Sequence, residues 1–379
     1  MKEILHYFTF SYSYNIVFIL FCVAACAQFF YYFYFYSQLF FYKKKKEEIP
    51  PVPVSIVICA RNEANNLKKY LPGILEQDYP DFEVVVVNDC SEDETEYVLL
   101  NFSKQYPHLR TTFLKEDQKF SHGKKLALTV GLKSAKNEWV LLTDADCYPT
   151  SNKWLANMAD HFTEKKSVVI GYGGYIEKHG LLNSMIRYDT AFIALQYFSF
   201  ALAGLPYMGV GRNLGYRRSL FFSNRGFASH SELESGDDDL FVNQVATVDN
   251  TAIEFRFGAH TRSKAENKFS SWSRQKRRHL TTGRIYKSKH KLLLCGEQLS
   301  RVMFYLFFIA LLFFPLYNKI AITLFVFRIF VYLFVIYFNF KRLDEKKLFI
   351  PSLFYDFVLP YLYFWLFVTT KYRSLKRWR

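Results

Sequence analysis

The chain has 379 residues, 51% of them hydrophobic, and a formal net charge of +15. The apolar residues gather at the two ends: residues 11–42 and 302–318 carry no charged side chain, each run as long as the roughly 17 residues a membrane span needs. Much of the surplus charge flanks those runs, at Lys43 to Lys46, Arg274 to Arg278, Lys341-Arg342 and Lys371 to Arg379, a placement that suits anionic lipid headgroups and excludes a nucleic-acid groove as its purpose.

Residues 11–42 form the first span, and the lysines after it mark the cytoplasmic side, so the N-terminus faces out and the following domain faces in. Residues 51–290 have the mixed character of a folded domain. Val54 to Cys59 is a short apolar strand, followed by Ala60-Arg61-Asn62-Glu63 and an amphipathic helix with Leu67, Tyr70, Leu71 and Leu75. Phe82 to Val87 is a strand of the fully buried, parallel type. It ends in Asn88-Asp89-Cys90-Ser91-Glu92-Asp93-Glu94-Thr95, a turn that opens another helix. Residues 110–115 make a third strand, Lys124 opens a helix to about Ala135, and 138–143 is a fourth strand. Such alternation predicts an α/β fold with a doubly wound, mostly parallel sheet. The six cysteines show no Cys-x-x-Cys spacing and fit reduced thiols rather than a disulfide framework.

The fourth strand ends in Thr143-Asp144-Ala145-Asp146-Cys147-Tyr148-Pro149. Ligands of open α/β sheets sit beyond the carboxyl ends of the strands. If the chain stays extended, Asp144 and Asp146 point to one side, and Pro149 blocks continuation of the strand. Two hard oxygen donors there suit Mg²⁺ or Mn²⁺ beside a substrate phosphate. The second half reads less regularly: a strand at 167–172, a helix at 181–198, and a glycine-rich stretch Met208 to Arg218 without the context of a dinucleotide fingerprint. Gly236-Asp237-Asp238-Asp239 precedes another helix, whose N-terminus acids favour. Residues 270–289 are basic, with Gln275, Arg278 and an interfacial anchor at Trp272.

Residues 299–370 form the C-terminal membrane region, with spans at about 302–318 and 320–340 and a third apolar segment at 349–370 broken by Pro351 and Pro360. Lys341 to Lys347 belong inside. One more crossing puts Lys371 to Arg379 outside, against the charge rule, so either the last segment is re-entrant or interfacial, or the tail is an exception. Arg328 and Asp356 lie within these segments and are expected to pair, or jointly to line an acceptor groove.

Taken together, residues 54–285 resemble a family 2 glycosyltransferase with the GT-A fold, of the membrane-bound group that includes hyaluronan, cellulose and ceramide-glucose transferases. Ala60-Arg61-Asn62-Glu63 resembles the first-strand nucleotide contact, and Val87 to Thr95 the V-N-D-x-S-x-D-x-T loop, whose first Asp, here Asp89, binds the nucleoside. Lys124 to Leu128 matches K-x-x-A-L, and Asp144 and Asp146 match the metal-binding D-x-D. Gly236-Asp237-Asp238 is similar to the motif that supplies the catalytic base, carried here onto Asp238; Gln275 to His279 is similar to Q-x-x-R-W, with His279 in place of tryptophan. The resemblance implies a nucleotide-sugar donor, most simply a UDP-sugar, a divalent ion held by Asp146 and Asp144, and Lys124 and Arg278 on the diphosphate. With three clear spans and a fourth segment, too few for a secretion channel, the acceptor is expected to be a lipid or lipid-linked molecule at the cytoplasmic face. A processive polysaccharide synthase subunit is the first alternative, and a non-catalytic membrane scaffold is one of another class.

Overall fold

The computed structural model describes residues 2–43, 49–115, 123–233 and 235–370, with side chains of the first helix described from Tyr14. Lys44 to Lys46 of the first basic cluster, Glu234 and the basic tail Lys371 to Arg379 lie outside the described residues.

The chain begins with α1 (Lys2–Phe30), a π-helical segment (Tyr31–Tyr36) and α2 (Ser37–Phe41), which follow one another without a break. Then β1 (Val54–Ala60), α3 (Ala64–Leu75), β2 (Phe82–Asp89), α4 (Thr95–Gln105), β3 (Leu109–Leu114), α5 (Lys124–Ser134) and β4 (Trp139–Leu142) alternate. The second half of the domain holds β5 (Tyr148–Pro149), α6 (Trp154–Ala159), β6 (Val168–Gly171), β7 (Gly173–Tyr175), α7 (Leu181–Leu202), β8 (Leu214–Arg217), α8 (Arg218–Ser223), α9 (Asp239–Val245), β9 (Thr251–Glu254), β10 (Thr261–Ser263) and α10 (Phe269–Gly283). Three long helices follow: α11 (Ser288–Leu311), α12 (Asn318–Arg342) and α13 (Phe349–Thr369).

The main sheet has the order β3-β2-β1-β4-β8-β6-β9, parallel except for β8, which runs against both β4 and β6. A small second sheet, β5-β10-β7, lies beside it. Strand side chains alternate between faces. Val57 and Val85 therefore join Leu128 and Leu132 of α5, while Val84 and Val86 join Leu67 and Leu71 of α3 on the other face. Burial on both faces is why β2 reads as an unbroken apolar run. Helix α5 packs very close to the sheet at Gly131, where a Cβ would stand 2.6 Å from a Val57 methyl. That close approach sets Lys124, at the helix start, over the strand ends. The register Ala60↔Asn88 levels the ends of β1 and β2, so their following loops meet.

Pro149 is a correction to the sequence reading. It is not what ends the fourth strand, since β4 stops at Leu142, and it sits in β5 opposite Thr261, in an edge strand of the small sheet where a missing N–H is tolerated. Trp272 is another. It is fully buried in a cluster with Ile186, Ala265 and Leu366, so it packs domain to membrane helix instead of facing headgroups.

Among the described residues, four segments, Tyr14–Phe41, Ser288–Leu311, Asn318–Arg342 and Lys346–Thr369, are long and apolar enough to cross a membrane. The helix of the expected span at 302–318 lies toward the N-terminus, as α11, and within it Glu297 and Arg301 pair one turn apart at 2.6 Å. Arg328 and Asp356 do pair. The Arg328 guanidinium grips both Asp356 oxygens and donates to Gln28 Oε1 at 2.9 Å, while the Tyr305 hydroxyl also donates to Asp356. Neither residue reaches the large cleft described below, so the groove half of that expectation does not hold for them.

Helix α13 touches the domain along its whole length. The turn before it buries Glu345, which accepts from Arg187 at 2.6 Å and from Arg262 and the Tyr172 hydroxyl. Tyr355 then donates to Leu181 O at 3.2 Å, Tyr363 to Asp189 Oδ1 at 2.6 Å, and Arg277 of α10 lies over the Trp365 ring. Both ends of α13 thus meet α7 and α10 of the domain, while Asp356 in its middle pairs with Arg328 of α12. A protease site placed after Thr370 is expected to be cut from the same membrane face as one placed in the loop at 247–250. Cutting only from the opposite face would make α13 a true crossing.

Candidate active site

The loops after β1 and β2 form one unit. Asn62 N–H donates to Ser91 Oγ at 2.9 Å and Asn62 Oδ1 accepts from Glu92 N–H at 2.8 Å. Glu63 N–H donates to Thr95 Oγ1, and Ala64 N–H to Asp93 Oδ2 at 3.1 Å. Asn62 and Cys90 adopt positive φ, which these linked turns demand. Asp93 is thereby a capping group for α3 and α4. Asp89 closes β2, fully buried, and its charge reaches Cys59 together with those of Lys124, Asp237 and Asp144. Ala60 is buried at the end of β1, and Arg61 is half-buried beyond it.

The Asp-x-Asp pair stands differently from the sequence expectation. Strand β4 stops at Leu142, and Cys147 N–H donates to Asp144 O at 3.0 Å, closing a turn that an aspartate at its first position favours. The turn, not an extended chain, brings the side chains together: ligand atoms of Asp144, Asp146 and Cys147 lie within 4.8 Å of one another. Burial, helped by the Asp144 charge, pushes the Asp146 carboxyl up from its ordinary range. Crowded carboxylate oxygens that resist being charged together are a donor set that fits a hard divalent cation.

Lys124 spans the site. Its ammonium donates to Asp144 Oδ1 at 2.9 Å and lies 3.1 Å from Asp237 Oδ2. Burial works to raise the Asp237 carboxyl, but Lys124 outweighs it and holds that group below its usual range. Asp238 differs from both neighbours. Its Oδ2 accepts from Gly211 N–H at 2.7 Å and its Oδ1 from Asp239 N–H at 2.8 Å, capping α9. Burial, with the Asp237 and Asp239 charges beside it, lifts its carboxyl to about 7. Asp239 is used up structurally, accepting from Thr282 Oγ1, Tyr286 OH and Leu240 N–H.

One cleft of about 1770 Å³ gathers these groups. Its walls include Glu63, Lys124, Asp144, Asp146, Asp237 and Asp238, and, from α10, Gln275 and Arg278. Ala60, Arg61 and Asp89 stand behind the walls, at the strand ends. Burial raises the Glu63 carboxyl, and Asn66 donates to it at 2.6 Å. The Nε of Arg278 is buried and has no hydrogen-bond partner among the described residues. His279, where the resembled motif has tryptophan, also faces the cleft.

Arg212 was missed by the sequence reading. It lines the cleft, its guanidinium 4.3 Å over the Tyr175 ring, and it is held by Ser263 Oγ at 3.1 Å within reach of the Asp144 and Asp146 charges. Neighbouring Asn213 anchors the segment, accepting from Trp154 Nε1 at 3.0 Å and donating to Tyr172 O and Ala259 O. The glycine-rich stretch was the available signal: Gly211 supplies the N–H that meets Asp238, and Arg212 follows it.

A parallel α/β sheet with an acid pair beyond one strand and a cleft across its carboxyl edge defines a GT-A fold. In agreement, a mannosyltransferase from Pyrobaculum calidifontis, solved in complex with GDP-Man and Mn²⁺, superposes with a TM-score of 0.57 at 18% identity, covering 91% of this chain and 99% of that one. Residues 55–222 match Glycosyl transferase family 2, and this part of the chain belongs to that family. Among curated relatives, a poly-beta-1,6-N-acetyl-D-glucosamine synthase of Staphylococcus epidermidis is 31% identical over 93 residues, 24% of this chain and 21% of its own length. A dolichyl-phosphate beta-glucosyltransferase of Trichomonas vaginalis is 38% identical over 101 residues, 24% of this chain and 30% of its own. The chain thus spans under a third of the length of either.

Proposed function

We propose that this protein transfers a sugar from a nucleoside-diphosphate sugar, a UDP-sugar in the simplest case, to a lipid or lipid-linked acceptor at the cytoplasmic face of a membrane. The observation that carries this reading is the continuity of the cleft. From Asp144, Asp146 and Asp238 it runs on to Leu294, Leu299 and Val302 of α11 and to Leu359, Phe364 and Phe367 of α13. A hydrophilic donor and an acceptor with an apolar tail can meet in such a space.

Asp89, with Ala60, Arg61 and Glu63, would hold the nucleoside at the joined loops of β1 and β2. Asp146 and Asp144 would hold Mg²⁺ or Mn²⁺; such an ion, when bound, offsets charge growing on the departing diphosphate. Arg278 and Gln275 face the same space for the phosphates, with Lys124 linking the two acid clusters. Asp238 takes the acceptor hydroxyl's proton as that oxygen bonds to the anomeric carbon. The bond from that carbon to the diphosphate oxygen breaks with its electron pair, releasing the nucleoside diphosphate.

The test is purified protein in membranes with a panel of UDP- and GDP-sugars, reading nucleoside diphosphate release and extracting lipids for mass spectrometry. A single-sugar glycolipid supports the proposal. A long polymer would favour the processive synthase that one relative's name suggests, and no turnover with any donor would favour a non-catalytic scaffold. Asp146→Ala is expected to abolish Mn²⁺-dependent binding of the nucleoside diphosphate, because few protein oxygens hold such an ion. Unchanged Mn²⁺-dependent affinity by calorimetry would refute the metal assignment.

A further inference from the structure

Residues 269–291, α10 and the start of α11, contain eight Lys and Arg and no acidic residue. Five of them, Arg274, Lys276, Arg278, Arg284 and Lys291, line the cleft, whereas Arg277, Lys287 and Lys289 do not. A helix that only clings to headgroups would turn its charges to the membrane, not into an internal cleft.

These cations divide by position. Arg278 stands on the same helix as Gln275, toward the acids. Lys276 is neutralised by Asp189 at 2.5 Å. Arg284 and Lys291 stand together at the corner between α10 and α11, farther along. The Arg284 guanidinium lies 4.8 Å over the Phe367 ring of α13, and the Lys291 ammonium donates to Arg284 O at 3.3 Å. Beside them, the wall turns apolar, and Leu299 and Phe364, 57% and 64% exposed, open it onto the lipid-facing surface of the helices. A cation pair at the mouth of an apolar furrow is complementary to an amphiphile with an anionic head.

The opposite end of the cleft constrains the nucleophile. Asp238 faces it as a base, held by two backbone N–H groups. A hydroxyl acceptor needs that base, whereas a phosphate monoester is already largely ionised at neutral pH and does not.

We propose that the acceptor is an anionic membrane lipid whose head group also carries a free hydroxyl: Arg284 and Lys291 receive its phosphodiester, the furrow between α11 and α13 receives a chain, and the hydroxyl reaches Asp238. This deepens the lipid-acceptor reading above and rests on it. In the transfer, the hydroxyl oxygen bonds to the anomeric carbon, its proton goes to Asp238, the nucleoside diphosphate leaves, and the phosphodiester is unchanged.

The test uses the full chain in nanodiscs of phosphatidylcholine, alone or doped with phosphatidylglycerol (anion and hydroxyl), diacylglycerol (hydroxyl only) or phosphatidic acid (anion only). Native mass spectrometry reads lipid retention, and product analysis reads sugar transfer. Phosphatidylglycerol is expected to be retained in preference to diacylglycerol and to be the best acceptor of the three. Arg284→Gln and Lys291→Gln should each weaken its retention about tenfold, the scale of one charge-assisted contact. Arg284→Lys should restore part of it, and Lys289→Gln, outside the cleft, should not weaken it. Equal retention of diacylglycerol, or retention indifferent to both glutamine variants, overturns the anion site. Transfer to phosphatidic acid as fast as to phosphatidylglycerol overturns the hydroxyl requirement. Selective retention without transfer from any nucleotide sugar would keep the anion site and remove the transfer reading itself, so the two failures are distinct.

Discussion

Asp238→Asn is expected to lower sugar transfer by about 10²–10⁴-fold, the contribution of a positioned general base, with donor and metal binding retained. Asparagine keeps the shape, and its single carbonyl oxygen can still accept one of the Gly211 and Asp239 N–H bonds, but it cannot take a proton. The adjacent acids should fail in other ways. Asp237→Asn removes a partner of Lys124 and should weaken donor binding, since that ammonium also holds Asp144. Asp239→Asn disturbs the carboxylate that Thr282 and Tyr286 bond, and should lower stability first. The carboxyl of Asp238 lies near 7 because burial, then its acidic neighbours, disfavour the charged form. A base must be deprotonated to act, so transfer should rise with pH through about 7, and Asp238→Asn should erase that limb. Turnover, nucleotide affinity and a pH profile for the three variants decide the matter. An inactive Asp237→Asn beside an active Asp238→Asn would move the base to Asp237, and three active variants would leave this loop without a base.

Asp356→Ala is expected to destabilise the protein by about 3–5 kcal/mol, the cost of leaving one member of a buried pair alone. Arg328 is fully buried, and Asp356 satisfies two of its nitrogens; Arg301, 3.5 Å from Asp356, loses a counter-charge as well. The double variant Asp356→Ala with Arg328→Met should recover much of the loss, because no buried charge is then orphaned. Thermal unfolding in detergent measures both. A single variant that melts with the parent protein would show that the pair bears no load.

Much of the fold was legible because its signals are local. Phe82 to Val87 reads as a buried parallel strand from composition alone, and the alternation of such runs with amphipathic helices leaves few architectures other than a doubly wound sheet. The apolar ends declare a membrane protein for the same reason. The site was legible as a set of residue types: Asp144, Asp146, Asp238, Gln275 and Arg278 were each visible as motifs, and they face one cleft.

What local pattern could not carry was decided by contacts between distant segments. The Asp-x-Asp pair converges through a turn. Pro149 pairs at a sheet edge because Thr261 comes from more than a hundred residues away. Arg212 matters because Asn213 ties its segment to Trp154, Tyr172 and Ala259. Asp238 differs from Asp237 because Lys124, on a helix docked by Gly131, pairs directly with Asp237, whereas Asp238 is bonded by the Gly211 and Asp239 N–H groups. Hydropathy marks α13 as long and apolar enough to cross a membrane, and its hydrogen bonds tie it both to α7 of the domain and to Arg328 of α12. A sequence lists which charges and apolar faces exist; which charge neutralises which, and which face meets lipid, depends on distances that only the folded chain sets.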